Sequence, residues 1–272
     1  MMLSSLSFAV MASLVKYSTH SVAVKAFSRQ AFSLLFILFI IILLNVRIVP
    51  LKKNRVKLFL RCMFGAIGIY LYFYSIENLL LANASMLTRL SPFFVTLFAS
   101  IILKESISRA NWMIFIPMLI GGIFIIKPNT ELFHPASIFA VLSAISGALA
   151  YTMIASIGKE ESPYTIIFWF TFISSILYAL IIGKEFDNLH NIEYFKLIMI
   201  GFFGVLGQIG LTFAYQLSRA SDIAPYSYLY ILFSGLIGYQ IWNEIPDFTS
   251  IIGYFLIIGS YFFLIKLKAN IG

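Results

Sequence analysis

The sequence predicts an all-α polytopic membrane protein of ten transmembrane helices, built as two inverted five-helix repeats with both termini in the cytoplasm. Composition, a series of long apolar segments and an internal similarity between the two halves support this prediction. Of 272 residues, 61% are hydrophobic and 11% are charged, whereas a soluble domain carries about 25% charged residues. This composition excludes a soluble or disordered chain. The single cysteine, Cys62, can form no disulfide within the chain.

Ten apolar segments are separated by charged or turn-forming residues, and about 20 mostly apolar residues are needed to span a bilayer as a helix. The segments cover residues 1–17, 24–46, 57–76, 84–103, 110–126, 136–157, 164–182, 194–215, 223–242 and 250–265. Their length favours helices, because the strands of a membrane barrel alternate over about ten residues. The first segment has no basic residue before its apolar run, so we expect a short helix there and not a cleaved signal peptide.

Lysine and arginine set the orientation of these segments. The densest basic cluster follows the second segment and consists of Arg47, Lys52, Lys53, Arg55, Lys57 and Arg61. Because positively charged loops stay in the cytoplasm, this connection and both termini are predicted to be cytoplasmic. The net charge of +8 is explained by this orientation and does not indicate nucleic-acid binding. Only Arg29 and Arg89 are predicted to lie inside spans.

The second half of the chain aligns with the first at one constant offset and without gaps. The aligned pairs that composition explains least are Gly65 with Gly204, Gly68 with Gly207, and Glu105 with Glu244. We therefore predict a duplication, with one repeat in residues 1–133 and the other in residues 134–272. Because five helices is an odd number, the second repeat is inverted in the membrane, an arrangement typical of secondary transporters.

Short motifs occur in residues 82–105 of the first predicted repeat and in residues 224–247 of the second. They are Ser91-Pro92-Phe93 and Leu103-Lys104-Glu105 in the first, and Ala224-Pro225-Tyr226 and Asn243-Glu244-Ile245-Pro246-Asp247 in the second. Together with the five-plus-five duplication, they resemble the drug/metabolite transporter superfamily, in its ten-helix EamA-type branch. This resemblance implies transport of a small metabolite through a central cavity. The second set is also similar to S-adenosylmethionine carriers, except that Ser227 replaces an expected basic residue.

Arg89 is the main candidate for binding the cargo. An ionised side chain inside a span is costly and usually faces a cavity or a partner, so Arg89 could hold a carboxylate or a phosphate. Alternatively, the side chain of Arg89 snorkels to the membrane surface or forms an ion pair with Glu77. For Arg29, snorkelling is the favoured interpretation. We expect Gln208 and several polar-edged aromatic residues to line the same pocket, with core packing as the alternative. These aromatic residues are Tyr74, Trp169, Tyr226, Tyr228 and Tyr230.

Pro92 and Pro225 are predicted to be hinges, with a tolerated kink as the alternative. A proline inside a helix removes a backbone hydrogen bond. Irregular backbone at this depth in the membrane is tolerated only where protein covers it or where it lines a water-filled cavity. Glu105 and Glu244 each end a segment and are predicted to be structural, because a carboxylate is stabilised at a neighbouring helix N-terminus. We expect Glu105 to contact the start of the next helix, where Ser108 would be the N-cap; proton coupling is the alternative.

These observations favour a secondary transporter of a bacterial inner membrane that works by alternating access. Its expected partners are the lipid bilayer and a small polar metabolite, which is amino-acid-like, nucleoside-like or S-adenosylmethionine. The alternatives are an exporter of toxic or surplus metabolites, a membrane scaffold or an intramembrane enzyme. No HExxH, GxSxG or GxxxxGK motif occurs, so we expect neither enzymatic activity nor a metal or cofactor. A homodimer remains an alternative to a monomer.

Overall fold

The computed structural model describes residues 1–106, 109–126, 134–182 and 191–271, which form twelve α-helices joined by turns and short 3-10 helices. The helices are α1 (Met2–Tyr17), α2 (Val22–Leu44), α3 (Arg55–Asn78), α4 (Leu81–Thr88), α5 (Ser91–Ile102), α6 (Arg109–Ile126), α7 (Ala136–Ile157), α8 (Pro163–Ile182), α9 (Asn191–Leu217), α10 (Ala220–Ile223), α11 (Leu229–Trp242) and α12 (Phe248–Ile271). No strand occurs among these described residues, so the all-helical class is confirmed.

Several helical segments of the described chain are long and apolar enough to cross a membrane. These six are Val22–Leu44, Lys52–Asn78, Leu81–Ile102, Ala136–Glu160, Pro163–Ile182 and Tyr194–Leu217. Helix α1 and the stretch Phe248–Ser260 of α12 are also apolar but shorter. The outer face of α2 is hydrophobic, since Leu35, Phe39 and Ile42 are 61%, 67% and 77% exposed. An apolar exterior over helices of this length is the pattern of a multi-pass membrane protein.

Helix limits in the structure follow the apolar segments of the sequence. Helix α7 spans the predicted residues 136–157, and α2 begins and ends two residues before its predicted limits. The Oγ of Ser21 accepts a hydrogen bond from the backbone N–H of Val24 at 3.4 Å, which caps the start of α2. At the other end, Asn45 takes a left-handed conformation with φ of 49°, a common C-terminal cap.

Two of the predicted segments are interrupted, at nearly equivalent positions of the two predicted repeats. Helix α4 ends at Thr88 and α5 begins at Ser91, with Pro92 in its first turn. In the second half, the 3-10 helix Ala224–Tyr228 separates α10 from α11 and contains Pro225. The sequence predicted a bend within one continuous helix. Instead the first helix stops and a new one starts, which places Pro92 where its missing N–H costs no helical hydrogen bond.

Close crossings between helices of the two halves occur at glycine residues. The Oγ of Ser143 in α7 donates to the carbonyl of Gly68 in α3 at 2.7 Å. The same contact recurs between the residues that the predicted duplication aligns with this pair, where the Oγ of Ser4 in α1 donates to the carbonyl of Gly207 in α9 at 2.7 Å. A Cβ on Gly207 would lie 2.6 Å from the ring of Phe8. These two helix pairs therefore approach closely because the residues at the crossing are small.

The helices of the two halves pack against one another throughout the described chain. Helix α3 packs on α7, α1 on α9, α2 on α8 and α9, and α6 on α12. The last of these pairs meets at Gly121 and Gly253, where a Cβ on Gly253 would lie 2.5 Å from the carbonyl oxygen of Gly121. Helices α1 to α3 and α7 to α9 thus surround a common interior, which contains the candidate site.

Candidate functional site

An interior cavity lies between helices of both halves and receives side chains from α1, α2, α3, α4, α5, α7, α8, α9 and α11. It encloses about 710 Å³ of space free of protein atoms, counting its open side. The larger polar side chains of its lining are Arg29, Arg61, Tyr72, Arg89, Tyr151, Gln208 and Tyr230.

Three residues that the sequence predicted for cargo binding line this cavity: Arg89, Gln208 and Tyr230. The guanidinium of Arg89 lies over the ring of Tyr230, 4.0 Å from its centroid, which is a cation–π contact. Tyr230 is fully buried, and its hydroxyl shares a hydrogen bond with that of Tyr72. The Nε2 of Gln208 donates to the Oγ1 of Thr212 at 3.2 Å. The cavity thus joins a cation from the first half with polar groups from the second.

Arg89 owes its position to the interruption between α4 and α5. It follows the last residue of α4, and its backbone N–H still bonds to the carbonyls of Ser85 and Met86. Its Nε is enclosed and has no hydrogen-bond partner among the described residues. The alternative ion pair of Arg89 with Glu77 is not formed, because Glu77 binds Lys25 at 2.5 Å.

Two further arginines line the cavity, and the sequence interpretation of both was wrong. Arg29 is 3% exposed and does not snorkel; its Nη1 donates to Oε1 of Gln30 at 2.5 Å. Arg61 was assigned to the cytoplasmic connection, yet α3 begins at Arg55 and Arg61 is 1% exposed. Its guanidinium lies 3.9 Å from the ring centroid of Phe170. Arg61 therefore belongs to the cavity and not to the basic cytoplasmic cluster.

The helical spacing of four residues in the sequence could have identified Arg61 as part of the cavity lining. Arg61, Gly65, Gly68 and Tyr72 follow one another at spacings of four, three and four residues, which places them on one face of a helix. All four line the cavity. The glycine pair that marks the close crossing of α3 therefore also identifies the face on which Arg61 lies.

The other aromatic residues predicted for the pocket lie elsewhere. Tyr74 is 37% exposed and packs edge-on against Phe139, with ring centroids 4.9 Å apart. The Nε1 of Trp169 donates to the carbonyl of Ile48 at 2.9 Å, so its polar edge holds the connection before α3. Tyr226 is 48% exposed. Neither Tyr74, Trp169 nor Tyr226 lines the cavity, and the side chains of Tyr228 and Pro225 lie outside what the structure describes.

Glu105 and Glu244 each bind the start of a helix in the opposite half. The Oε2 of Glu244 accepts a hydrogen bond from the backbone N–H of Leu81 at 2.7 Å, at the beginning of α4. The Oε2 of Glu105 accepts from the Oγ of Ser221 at 2.8 Å, at the beginning of α10. A helix N-terminus carries a positive partial charge, so both contacts are favourable. The expected contact of Glu105 at Ser108 falls outside the described residues.

Comparisons with known proteins agree with this architecture. Residues 1–127 and 134–266 match the EamA-like transporter family. The pseudopaline exporter CntI of Pseudomonas aeruginosa is 32% identical over 98% of this chain and 94% of its own length. The S-adenosylmethionine uptake transporter of Rickettsia prowazekii is 26% identical over 73% of this chain and 69% of its own length.

A solved crystal structure has the same fold, with a TM-score of 0.72 at 14% identity, and the match covers 99% of this chain and 94% of that chain. The family and the relatives are named as transporters and not as enzymes. With its apolar helices, the chain is therefore a multi-pass membrane transporter that belongs to the EamA-like transporter family.

Proposed function

We propose that the protein is a secondary transporter that moves a small polar metabolite with an anionic group by alternating access. The observation that supports this most directly is the position of Arg89. It stands in a cavity between the two halves, next to the interruption of α4 and α5. Bacterial relatives named as transporters support a bacterial inner membrane as its location.

The proposed architecture is ten spans in two inverted repeats, residues 1–133 and 134–272, with both termini in the cytoplasm. The matching interruptions near Pro92 and Pro225 support it, as does the recurrence of the serine–glycine contact between equivalent residues of the repeats. One structural unit used in both orientations gives an inward-open and an outward-open state of similar energy. A transporter needs both states to be accessible.

In the proposed cycle, Arg89, Gln208 and Tyr230 bind the cargo, and the chain bends at the interruptions beside Pro92 and Pro225. Opening toward the outside parts Glu244 from the start of α4, whereas opening toward the cytoplasm parts Glu105 from the start of α10. Both contacts are formed in the structure. No carboxylate of the described residues lines the cavity, which favours exchange or facilitated movement over proton symport.

Export of a toxic or surplus metabolite is a second candidate function. It is favoured by one specific observation, the 32% identity to a protein named as an exporter over nearly the whole chain. The same cavity and the same cycle would serve export, since alternating access is reversible and the gradients decide the direction.

Counterflow into proteoliposomes tests the proposed function in either direction. Vesicles that contain the full chain are loaded with unlabelled L-glutamate, adenosine monophosphate or S-adenosylmethionine, and uptake of the same labelled compound is measured. We expect uptake of at least one compound, loss of that uptake in Arg89→Ala, and retention in the control Arg55→Ala, whose side chain is exposed. Uptake of none of them, or full uptake in Arg89→Ala, would contradict the proposal.

A further inference from the structure

We infer that the cargo carries at least two anionic groups, as a dicarboxylate, a tricarboxylate or a phosphate-bearing metabolite does, and that Arg29, Arg61 and Arg89 bind it together. This inference rests on the proposed function and specifies the substrate class of the same cavity. The sequence alone indicated a single cation there. The structure instead places three arginines in one lining.

An aromatic ring of the cavity wall lies beside each of the three guanidinium groups. Those of Arg61 and Arg29 lie 3.9 and 6.0 Å from the ring centroid of Phe170, so one ring lies beside both cations. That of Arg89 lies 4.0 Å from the centroid of Tyr230. Stacking on a ring occupies the face of a guanidinium and leaves its N–H edge available to a ligand.

The described part of the protein supplies no negative charge to balance these groups. The cavity lining contains the three arginines and no carboxylate. Glu77 near the end of α3 and Glu244 just after α11 are bound elsewhere, to Lys25 and to Lys16. Removing a charge from water without a partner is costly, and such residues in a membrane protein mark a ligand path. A polyanionic cargo would provide the missing countercharge.

The hydrogen bonds of the three arginines also favour an anionic ligand. The Nε atoms of Arg61 and Arg89 are enclosed and have no partner among the described residues. Arg29 is held only by neutral acceptors, the Oε1 of Gln30 at 2.5 Å and the sulfur of Met11 at 3.2 Å. A carboxylate or a phosphate accepts two parallel N–H bonds from one guanidinium, which is the strongest pairing available to it.

This arrangement disfavours cargo with a positive charge. S-adenosylmethionine carries a sulfonium and an ammonium group beside its single carboxylate, so its positive groups would repel the arginines that the carboxylate does not bind. A zwitterionic amino acid would satisfy one arginine and leave the others unpaired. The cavity thus selects by the number of anionic groups.

A series of probes that differ in the number of carboxylates tests this inference. Butyrate, glutarate and tricarballylate carry one, two and three carboxylates. We expect the melting temperature of the full chain in nanodiscs to rise in that order at constant ionic strength, because a ligand that binds the folded form stabilises it. Binding of tricarballylate should weaken at least tenfold in Arg61→Gln and in Arg29→Gln, and should stay unchanged in the exposed control Arg55→Gln.

Several results would overturn the inference. They are equal stabilisation by butyrate and tricarballylate, wild-type affinity in Arg61→Gln, or binding of S-adenosylmethionine alone. The melting temperature of ligand-free Arg61→Gln reports whether that variant folds, and Arg61→Lys, which keeps the charge, should retain more affinity. Binding of tricarballylate without counterflow of any probe would refute transport and leave the substrate class intact. Counterflow of S-adenosylmethionine without binding of tricarballylate would refute only the substrate class.

Discussion

The ion pair between Lys16 and Glu244 fastens α1 and the end of α11 to the start of α4. The Nζ of Lys16 also donates to the carbonyl of Leu79 at 3.1 Å, and Glu244 accepts from the N–H of Leu81 at 2.7 Å. The two charged side chains are only 15% and 8% exposed. Exposed pairs contribute about 0–1 kcal/mol, and removing one partner of a buried pair costs about 3–5 kcal/mol. The removal cost includes the unpaired charge that is left behind, whereas the coupling energy of residues in contact is about 0.5–3 kcal/mol. A pair of this exposure should therefore couple by about 2 kcal/mol, more than an exposed pair.

A double-mutant cycle measures this coupling from the free energy of unfolding of Lys16→Met, Glu244→Gln and the double variant. Glutamine keeps an oxygen that can accept from Leu81, so the cycle reports the charge pair itself. The pair of Lys53 with Glu160 is the matched control, since its side chains are 64% and 45% exposed at 2.7 Å. We expect much weaker coupling there. Equal coupling in the two cycles would refute the reasoning from burial.

Two further predictions concern the helix crossings and use the same unfolding measurement. Gly253→Ala should destabilise the protein by about 1–3 kcal/mol, because its Cβ would lie 2.5 Å from the carbonyl oxygen of Gly121. In contrast, Gly259→Ala should be neutral or stabilising, since among the described residues no atom beyond its chain neighbours and the adjacent helix backbone lies within 4 Å of its Cβ; a similar loss at both sites would contradict this. Ser4→Ala and Ser143→Ala each remove one hydrogen bond of 2.7 Å, and each should cost about 0.6 kcal/mol. Markedly unequal losses would show that the two contacts are not equivalent.

The positions of the helices could be predicted from the sequence, because most of them coincide with a long run of apolar residues. Helix α7 matches its predicted residues 136–157, and most of the other described helices begin and end within a few residues of the segments. The interruption after Thr88 could not be placed in this way. Pro92 indicates an irregularity, but whether the chain bends or ends its helix there depends on the neighbouring helices that cover it.

Which side chains face the cavity was harder to predict than where the helices lie. The polar edges of Tyr74 and Trp169 favour a place in the pocket, but residue type does not tell which face of a helix points inward. The sequence favours snorkelling for Arg29, but its contacts with Met11 of α1 and its position beside Gly204 of α9 enclose it. For Arg61, the nearby basic cluster masked the helical spacing to Gly65 and Gly68. The partners of Glu105 and Glu244 lie in the opposite half, which no local pattern reveals.

Cysteine accessibility tests alternating access through this cavity most directly. Ser91 lines the cavity, and in a Cys62→Ala background Ser91→Cys would carry the single thiol. Ser174→Cys is the control, because Ser174 is fully buried in α8 and does not line the cavity. A membrane-impermeant thiosulfonate should label Ser91→Cys in both right-side-out and inside-out vesicles and should leave the control unlabelled. Labelling of Ser91→Cys from one side only, or from neither, would contradict a route that opens alternately to both compartments.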